Sequence, residues 1–310
     1  MSLSGVLVVD KPTGMTSHDV IDRLRKILHT RKIGHVGTLD PSAGGVLVVC
    51  VNQATKVVQF LTEYDKEYTA VIQLGITTDT YDGEGQITRT EEDFKISPDE
   101  IKRAILSFKG NIEQTPPLYS AIKYQGKKLY QYARSNQEVK RNKREVEIKE
   151  LEILEIKLPH VKFKISCSKG TYVRSIAHDV GEKLGCGAYL YSLRRTRVGP
   201  FHIEDALSLE KIADIQGEGK ISDVLTPIEK ALVHLPSVVT NEWFATKVQH
   251  GIPLESKSVL SVEGDFDSNK TITVKNEQGE IIALGRALTS AKNFMDHKYE
   301  NKLFEYMRVI

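Results

Sequence analysis

A chain of 310 residues, 40% hydrophobic and 27% charged with a formal net charge of +2, is composed like a soluble globular protein with room for one large domain and a smaller one. That composition excludes a fibrous or disordered chain, and no apolar run reaches the roughly 18 to 20 residues that a membrane helix needs. Three cysteines without a CxxC pair and nine histidines without an HExxH spacing offer no metal site.

The N-terminus, MSLSGVLVVDKP, enters a strand-like run rather than a signal peptide, which places the protein in the cytoplasm. Ser17 then caps a helix whose apolar face is Val20, Ile21, Leu24, Ile27 and Leu28. GHVGTLDPSAGG (34–45) reads as a loop between that helix and a buried strand, VLVVCV. Its glycines let backbone approach a ligand, and Pro41 holds Asp40 out of the helical region, so one carboxylate is fixed on a functional loop. ATKVVQFLTEY (54–64) follows as a helix, and KEYTAVIQLG (66–75) as a strand.

TTDTYDGEGQ is an acidic loop. Beyond it Ser97, Pro98 and Glu100 spell a helix start, with Gly110 after the helix ends. KYQGKKLYQYARSNQEVKRNKR (123–144) carries eight Lys or Arg against one Glu, interleaved with Tyr124, Tyr130 and Tyr132; cations among aromatics are the footprint of nucleic-acid binding. Alternation predicts strands over 144–158 and 161–168. Val173, Ile176, Ala177, Val180 and Leu184 predict a helix ending at Gly185. LRRTRVGPF returns as a strand. From about residue 235, KTITVKNEQGEIIALGRAL reads as a hairpin turning near 276–279, with a further strand in the tail, giving a small, mostly β domain.

The chain has no GxxxxGK loop, no GxGxxG opening a helix and no GxSxG elbow. A carboxylate, tyrosines, arginines and a basic segment remain. They suit chemistry on a nucleotide base, which must be unstacked and received on aromatic faces.

DKPTGMTS (10–17), GHVGTLDPSAGGVLVV (34–49), QATK (53–56), KEY (66–68), GTYVRS (170–175) and KLGCGAYLYSLRRTRVGPF (183–201) resemble, in order, the motif set of the TruB family of bacterial tRNA pseudouridine synthases. The resemblance spans about 200 residues and continues more weakly to the C-terminus. It implies an α+β pseudouridine synthase domain over 1–235, built on a mixed, mainly antiparallel sheet with flanking helices, and a PUA-type RNA-binding domain over 236–310. It implies isomerisation of the T-loop uridine (U55) of tRNA after base flipping, with no cofactor, no metal and no guide RNA, by a monomer.

Carried over by position, Asp40 is the catalytic carboxylate, Tyr68 stacks on the uracil, and Arg174 pairs with and orients Asp40 through a bidentate guanidinium. Tyr172 and Leu193 line the pocket, His35 lies against the flipped nucleotide, and Lys66 joins the substrate-binding set. Lys11 and the basic segment, matching the family's mobile insertion (about 123–146), meet phosphates. Asn52 departs from the family, which commonly has glycine there; asparagine tolerates left-handed backbone, so the turn is expected to survive. Two alternatives stay open, a guide-RNA-dependent relative of the dyskerin type and a noncatalytic RNA-binding or tRNA-folding protein, and the resemblance leaves room for an enzyme that also folds tRNA independently of modification.

Overall fold

The computed structural model describes residues 3–135, 137, 139–296, 299 and 301–310. The chain opens with β1 (Gly5–Lys11), α1 (Ser17–Ile27), β2 (Ile33–Val36) and β3 (Gly44–Val51). The expected 34–45 loop therefore begins as strand: His35 and Val36 pair with Val49 and Val48. Asn52–Val57 forms a 3-10 turn running into the one-turn α2 (Val58–Leu61), in place of the longer helix expected there. The 3-10 turn buries Ala54 and Val57, three positions apart as its period requires, and α2 buries Phe60 and Leu61.

β4 (Lys66–Leu74) is followed by the hairpin β5 (Ile76–Thr78) and β6 (Ile87–Thr90), then α3 (Pro98–Leu106) and β7 (Gly110–Gln114). The basic segment forms a short hairpin, β8 (Lys123–Tyr124) and β9 (Lys127–Lys128), and α4 (Leu129–Arg134); positions 136 and 138 of it lie outside the described residues. β10 (Arg144–Lys157), β11 (His160–Cys167), α5 (Val173–Leu184), β12 (Ala188–Val198), β13 (Phe201–His202), α6 (Leu209–Gly217) and α7 (Ile228–Ala231) complete this part.

Among the described residues nine strands make one sheet in the order β1-β3-β12-β4-β11-β10-β7, with β2 on β3 and β13 on β12. Every pairing is antiparallel except β12 with β3, so the sheet is mixed and mainly antiparallel as anticipated. α3 and α5 cover one region of it through Ile101, Ile105, Ile176 and Val180. α1 and α6 cover β1 and β3 through Val20, Ile21, Leu24 and Ile212.

Local chemistry explains the helix ends. Ser97 and Glu100 form the anticipated capping box on α3, and Gly185, at φ 81°, closes α5 in the left-handed conformation. The cap of α1 is Thr16 rather than Ser17: Thr16 Oγ1 accepts from Asp19 N at 3.0 Å while Asp19 accepts from Thr16 N at 2.8 Å. Ser17 is thereby freed to point inward.

A second sheet, ordered β15-β14-β16-β17-β18, is built from β14 (Ser237–Thr240), β15 (Val259–Glu263), β16 (Thr271–Lys275), β17 (Ile281–Ala287) and β18 (Phe304–Val309). α8 (Glu242–Gln249) and α9 (Ala291–Met295) pack on it. The β16–β17 hairpin turns at Asn276–Gly279 as its sequence predicts. Ile281 and Leu284 share a core with Val6, Val8 and Leu232, so this sheet rests on the back of β1 and β3.

Candidate active site

A cavity of about 420 Å³, within the range that encloses a small ligand, opens where the 37–40 loop, β4, β12 and the start of α5 meet. Asp40, Lys66, Tyr68, Tyr172, Arg174 and Leu193 line it, so six of the eight predicted site residues come together there.

Asp40 is fixed through its neighbours. Ser17 Oγ donates to Leu39 O at 3.1 Å and accepts from Leu39 N at 2.9 Å, pinning the residue before it. Gly14 N donates to Pro41 O at 2.8 Å, fixing the residue after it. Leu39 is buried in the core, while the Asp40 side chain keeps 39% of its surface open toward the cavity. Burial pushes the Asp40 carboxyl above the ordinary carboxylate range; Arg174 pulls it down, Asp82 pushes it up and Lys11 pulls it down.

Arg174, at the start of α5, reaches Asp40 but not as a bidentate clamp. Its Nε lies 3.0 Å from Asp40 Oδ2 without hydrogen-bond alignment, and its Nη1 lies 3.3 Å from Asp82 Oδ2. Nη1 also donates to Thr80 O at 3.2 Å and Nη2 to Tyr119 O at 2.9 Å. The guanidinium is thus shared between two carboxylates and two backbone carbonyls. Asp82 sits in the acidic loop that the sequence flagged only as a loop. It is buried, and its own loop holds it: Thr80 Oγ1 donates to it at 2.6 Å and Glu84 N at 3.1 Å.

Tyr68 and Lys66 face the same side of β4, whose burial alternates strictly. Tyr68 stands in register with Arg195 of β12. Burial pushes its phenol up, and Arg195, through its charge and a hydrogen bond, opposes this. Arg195 itself is fully buried, donating to Val46 O at 2.7 Å and Gly37 O at 2.9 Å. It ties the strand bearing Leu193 to the loop bearing Asp40. Period-two spacing from Leu193 was the signal that could have found it.

Lys66 is buried, with its ammonium donating to Thr62 O at 2.6 Å and to Tyr64 O; burial, then the charge of Arg195, lowers it to about 8. Tyr172 is clamped by its backbone, since Gln114 accepts from Tyr172 N at 2.7 Å and donates to Tyr172 O at 3.0 Å. Tyr119, Ser120 and Tyr130 bring the segment around the basic insertion to the cavity wall.

Two predicted residues stand elsewhere. Lys11 is fully buried, and its ammonium donates to the carbonyls of Pro12, Met15 and Pro41, so it braces the Asp40 loop. His35 does not line the cavity. It is half-buried on β2, where burial and then the charge of Arg195 push its pKa down. Asn52 adopts φ 53°, as expected of an asparagine replacing glycine. Cys50, Cys167 and Cys186 are buried free thiols.

Comparison with known proteins places this geometry. Residues 25–173 match the model of the TruB family pseudouridylate synthase N-terminal domain, residues 174–233 that of the tRNA pseudouridylate synthase B C-terminal domain, and residues 236–305 that of the PUA domain. The proteins named tRNA pseudouridine synthase B from Syntrophotalea carbinolica and Bacillus pumilus are each 45% identical, over 99% and 94% of this chain and 98% and 96% of theirs. That from Clostridium tetani is 42% identical over 92% of this chain and 96% of its own. Among solved structures, a chain of a Cbf5-Nop10-Gar1 complex aligns over 98% of this chain and 84% of its own, with a TM-score of 0.80 at 31% identity.

Proposed function

This chain belongs to the TruB family of pseudouridylate synthases, and from that premise we propose that it isomerises the T-loop uridine, U55, of tRNA to pseudouridine, as a cytoplasmic monomer without a guide RNA. The observation that carries the reading is the exposed edge of Asp40 at a cavity of single-base scale, held by a buried arginine and bordered by Tyr68.

The reaction breaks the N1–C1′ bond, rotates the uracil and forms a C5–C1′ bond; the C5 proton leaves and N1 is protonated, so nothing is oxidised or hydrolysed. Asp40 acts on the sugar, as nucleophile at C1′ or as base at C2′. Both routes need it ionised, and the neighbouring Arg174 and Lys11 favour that form. Tyr68 receives the flipped uracil face-on, recovering about 1 to 3 kcal/mol of the unstacking cost. Tyr172 and Leu193 complete the walls, Lys66 fixes the floor from its carbonyl anchors, and His35 on β2 sits beside the displaced loop nucleotides.

Residues 1–235 serve as the catalytic domain and 236–310 as the RNA-binding domain. Identity of 42–45% to proteins named tRNA pseudouridine synthase B, against 31% to the Cbf5-complex chain, supports the guide-free reading. The test is position mapping: a full tRNA transcript incubated with the purified chain alone, then treated with carbodiimide and read by reverse-transcription stops. A single new stop at the T-loop uridine is expected; stops elsewhere, or none without added RNA, would overturn the assignment.

A further inference from the structure

The segment from Asp22 to Lys32 carries five Lys or Arg, Arg23, Arg25, Lys26, Arg31 and Lys32, against one acid. Two of these charges are answered within the fold. Arg25 pairs with Asp22 at 2.8 Å, and Arg23 lies close enough to Glu210 to affect it. Cations in the last turn of α1 also complement the helix C-terminus, but Arg31 and Lys32 lie beyond that helix and gain nothing from it. Lys26, His29, Arg31 and Lys32 are exposed, and Arg25, Lys26, His29 and Arg31 border one shallow depression.

The turn presenting them is braced. Asn52, at φ 53°, donates from its backbone N to Lys32 O at 2.7 Å, and its Oδ1 accepts from Thr30 Oγ1 at 2.7 Å. Its Nδ2 donates to Leu3 O. A turn so held presents its charges in one place, so less freedom is lost when they bind. β2 leads directly from Lys32 to Gly37 on the cavity wall, five residues or about 16 Å at a strand rise of ~3.3 Å. A substrate whose reacting base enters the cavity has phosphates to place at that distance.

We propose that Lys26, Arg31 and Lys32, on the turn braced by Asn52, form a second RNA-binding surface that takes the ribose-phosphate backbone of the substrate tRNA outside its T-arm. This rests on the reading of tRNA as substrate. Contacts of this kind position the nucleic acid and carry no base information.

The test compares wild type with the triple variant Lys26→Ala, Arg31→Ala, Lys32→Ala, measuring affinity for a full tRNA transcript and for an isolated T-arm stem-loop between about 50 and 200 mM salt. Loss of three phosphate contacts makes the slope of log K against log salt for tRNA shallower by about 2 to 3. We expect tRNA affinity to fall about tenfold at the lower salt, with T-arm affinity, kcat on the T-arm and thermal midpoint unchanged. An unchanged tRNA slope overturns the proposal, as does an equal loss on the T-arm fragment, which would assign these charges to the T-arm site. Wild type that binds tRNA but modifies no uridine would sink the functional reading while leaving this comparison to decide the surface.

Discussion

Replacing Arg174 by lysine keeps the charge and removes the fork. The guanidinium touches Asp40, Asp82, Thr80 O and Tyr119 O from three nitrogens, and its side chain is only 7% exposed. A lysine ammonium is one point on a flexible stem and cannot span the same four acceptors. Losing two charge-assisted hydrogen bonds at about 1.5 kcal/mol each gives about 3 kcal/mol. At about 1.36 kcal/mol per tenfold, Arg174→Lys lowers kcat on the order of 10²-fold if that energy holds Asp40 in its reactive pose. Single-turnover tritium release from C5-labelled T-arm RNA, with enzyme in excess, measures it. Because Arg174 orients the carboxylate more than it binds RNA, KM should move less than about threefold. A kcat within threefold of wild type would refute the argument that Arg174 positions Asp40.

Gly45→Ala should cost about 3 to 5 kcal/mol and deplete soluble protein, through left-handed strain together with overpacking. Its φ is 97°, and a Cβ there would lie 2.2 Å from Arg195 O; a urea midpoint like that of wild type would contradict this. The acid limb of the rate profile should lie above the ordinary carboxylate range, and Asp82→Asn should move it to lower pH by removing a charge that raises the Asp40 pKa; an unmoved limb would exclude Asp82 as an influence. Burial pushes Cys50 up to about 12 and Cys167 up to about 11, from an ordinary value of 9.0. Above about pH 9 the unfolded thiols ionise while the folded ones stay neutral, so the unfolded state binds fewer protons and stability falls as pH rises. Lys66 acts in the opposite sense, since its lowered folded pKa makes stability rise from about pH 8. Urea midpoints should therefore decline from pH 9 to 10.5, less so in a Cys50→Ala, Cys167→Ala protein; an equal decline in that variant would contradict the assignment.

Much of the fold was legible because local and global signals agree. Ser97, Pro98 and Glu100 cap α3 as their spacing demands, Gly185 ends α5, and the alternation of β4 puts Lys66 and Tyr68 on one face. The 54–64 region misled because its every-third apolar spacing also fits a helical face. Ser17 looked like a cap because serine is a good one, but Thr16 sits three residues before an acid that completes the box.

In the site, Asp40 was readable from its glycines and proline, whereas Asp82 was not, because an acidic loop usually faces water. The charge that compensates the buried Asp82 is Arg174, from a helix 92 positions further along the chain. The burial of Lys11 was hidden for the converse reason. A lysine beside a proline turn reads as exposed until the fold brings the Pro41 carbonyl, 30 residues away, to within 3.4 Å of its ammonium.

The proposed reaction depends most directly on Asp40. The decisive measurement is tritium release from C5-labelled T-arm RNA by the purified chain and by its Asp40→Asn variant, without added metal or guide RNA, alongside the affinity of each for the same RNA. Release by wild type, none by the variant and affinities within a few fold are predicted. Release by Asp40→Asn at the wild-type rate would contradict the assignment of the carboxylate, and with it the mechanism built on this cavity.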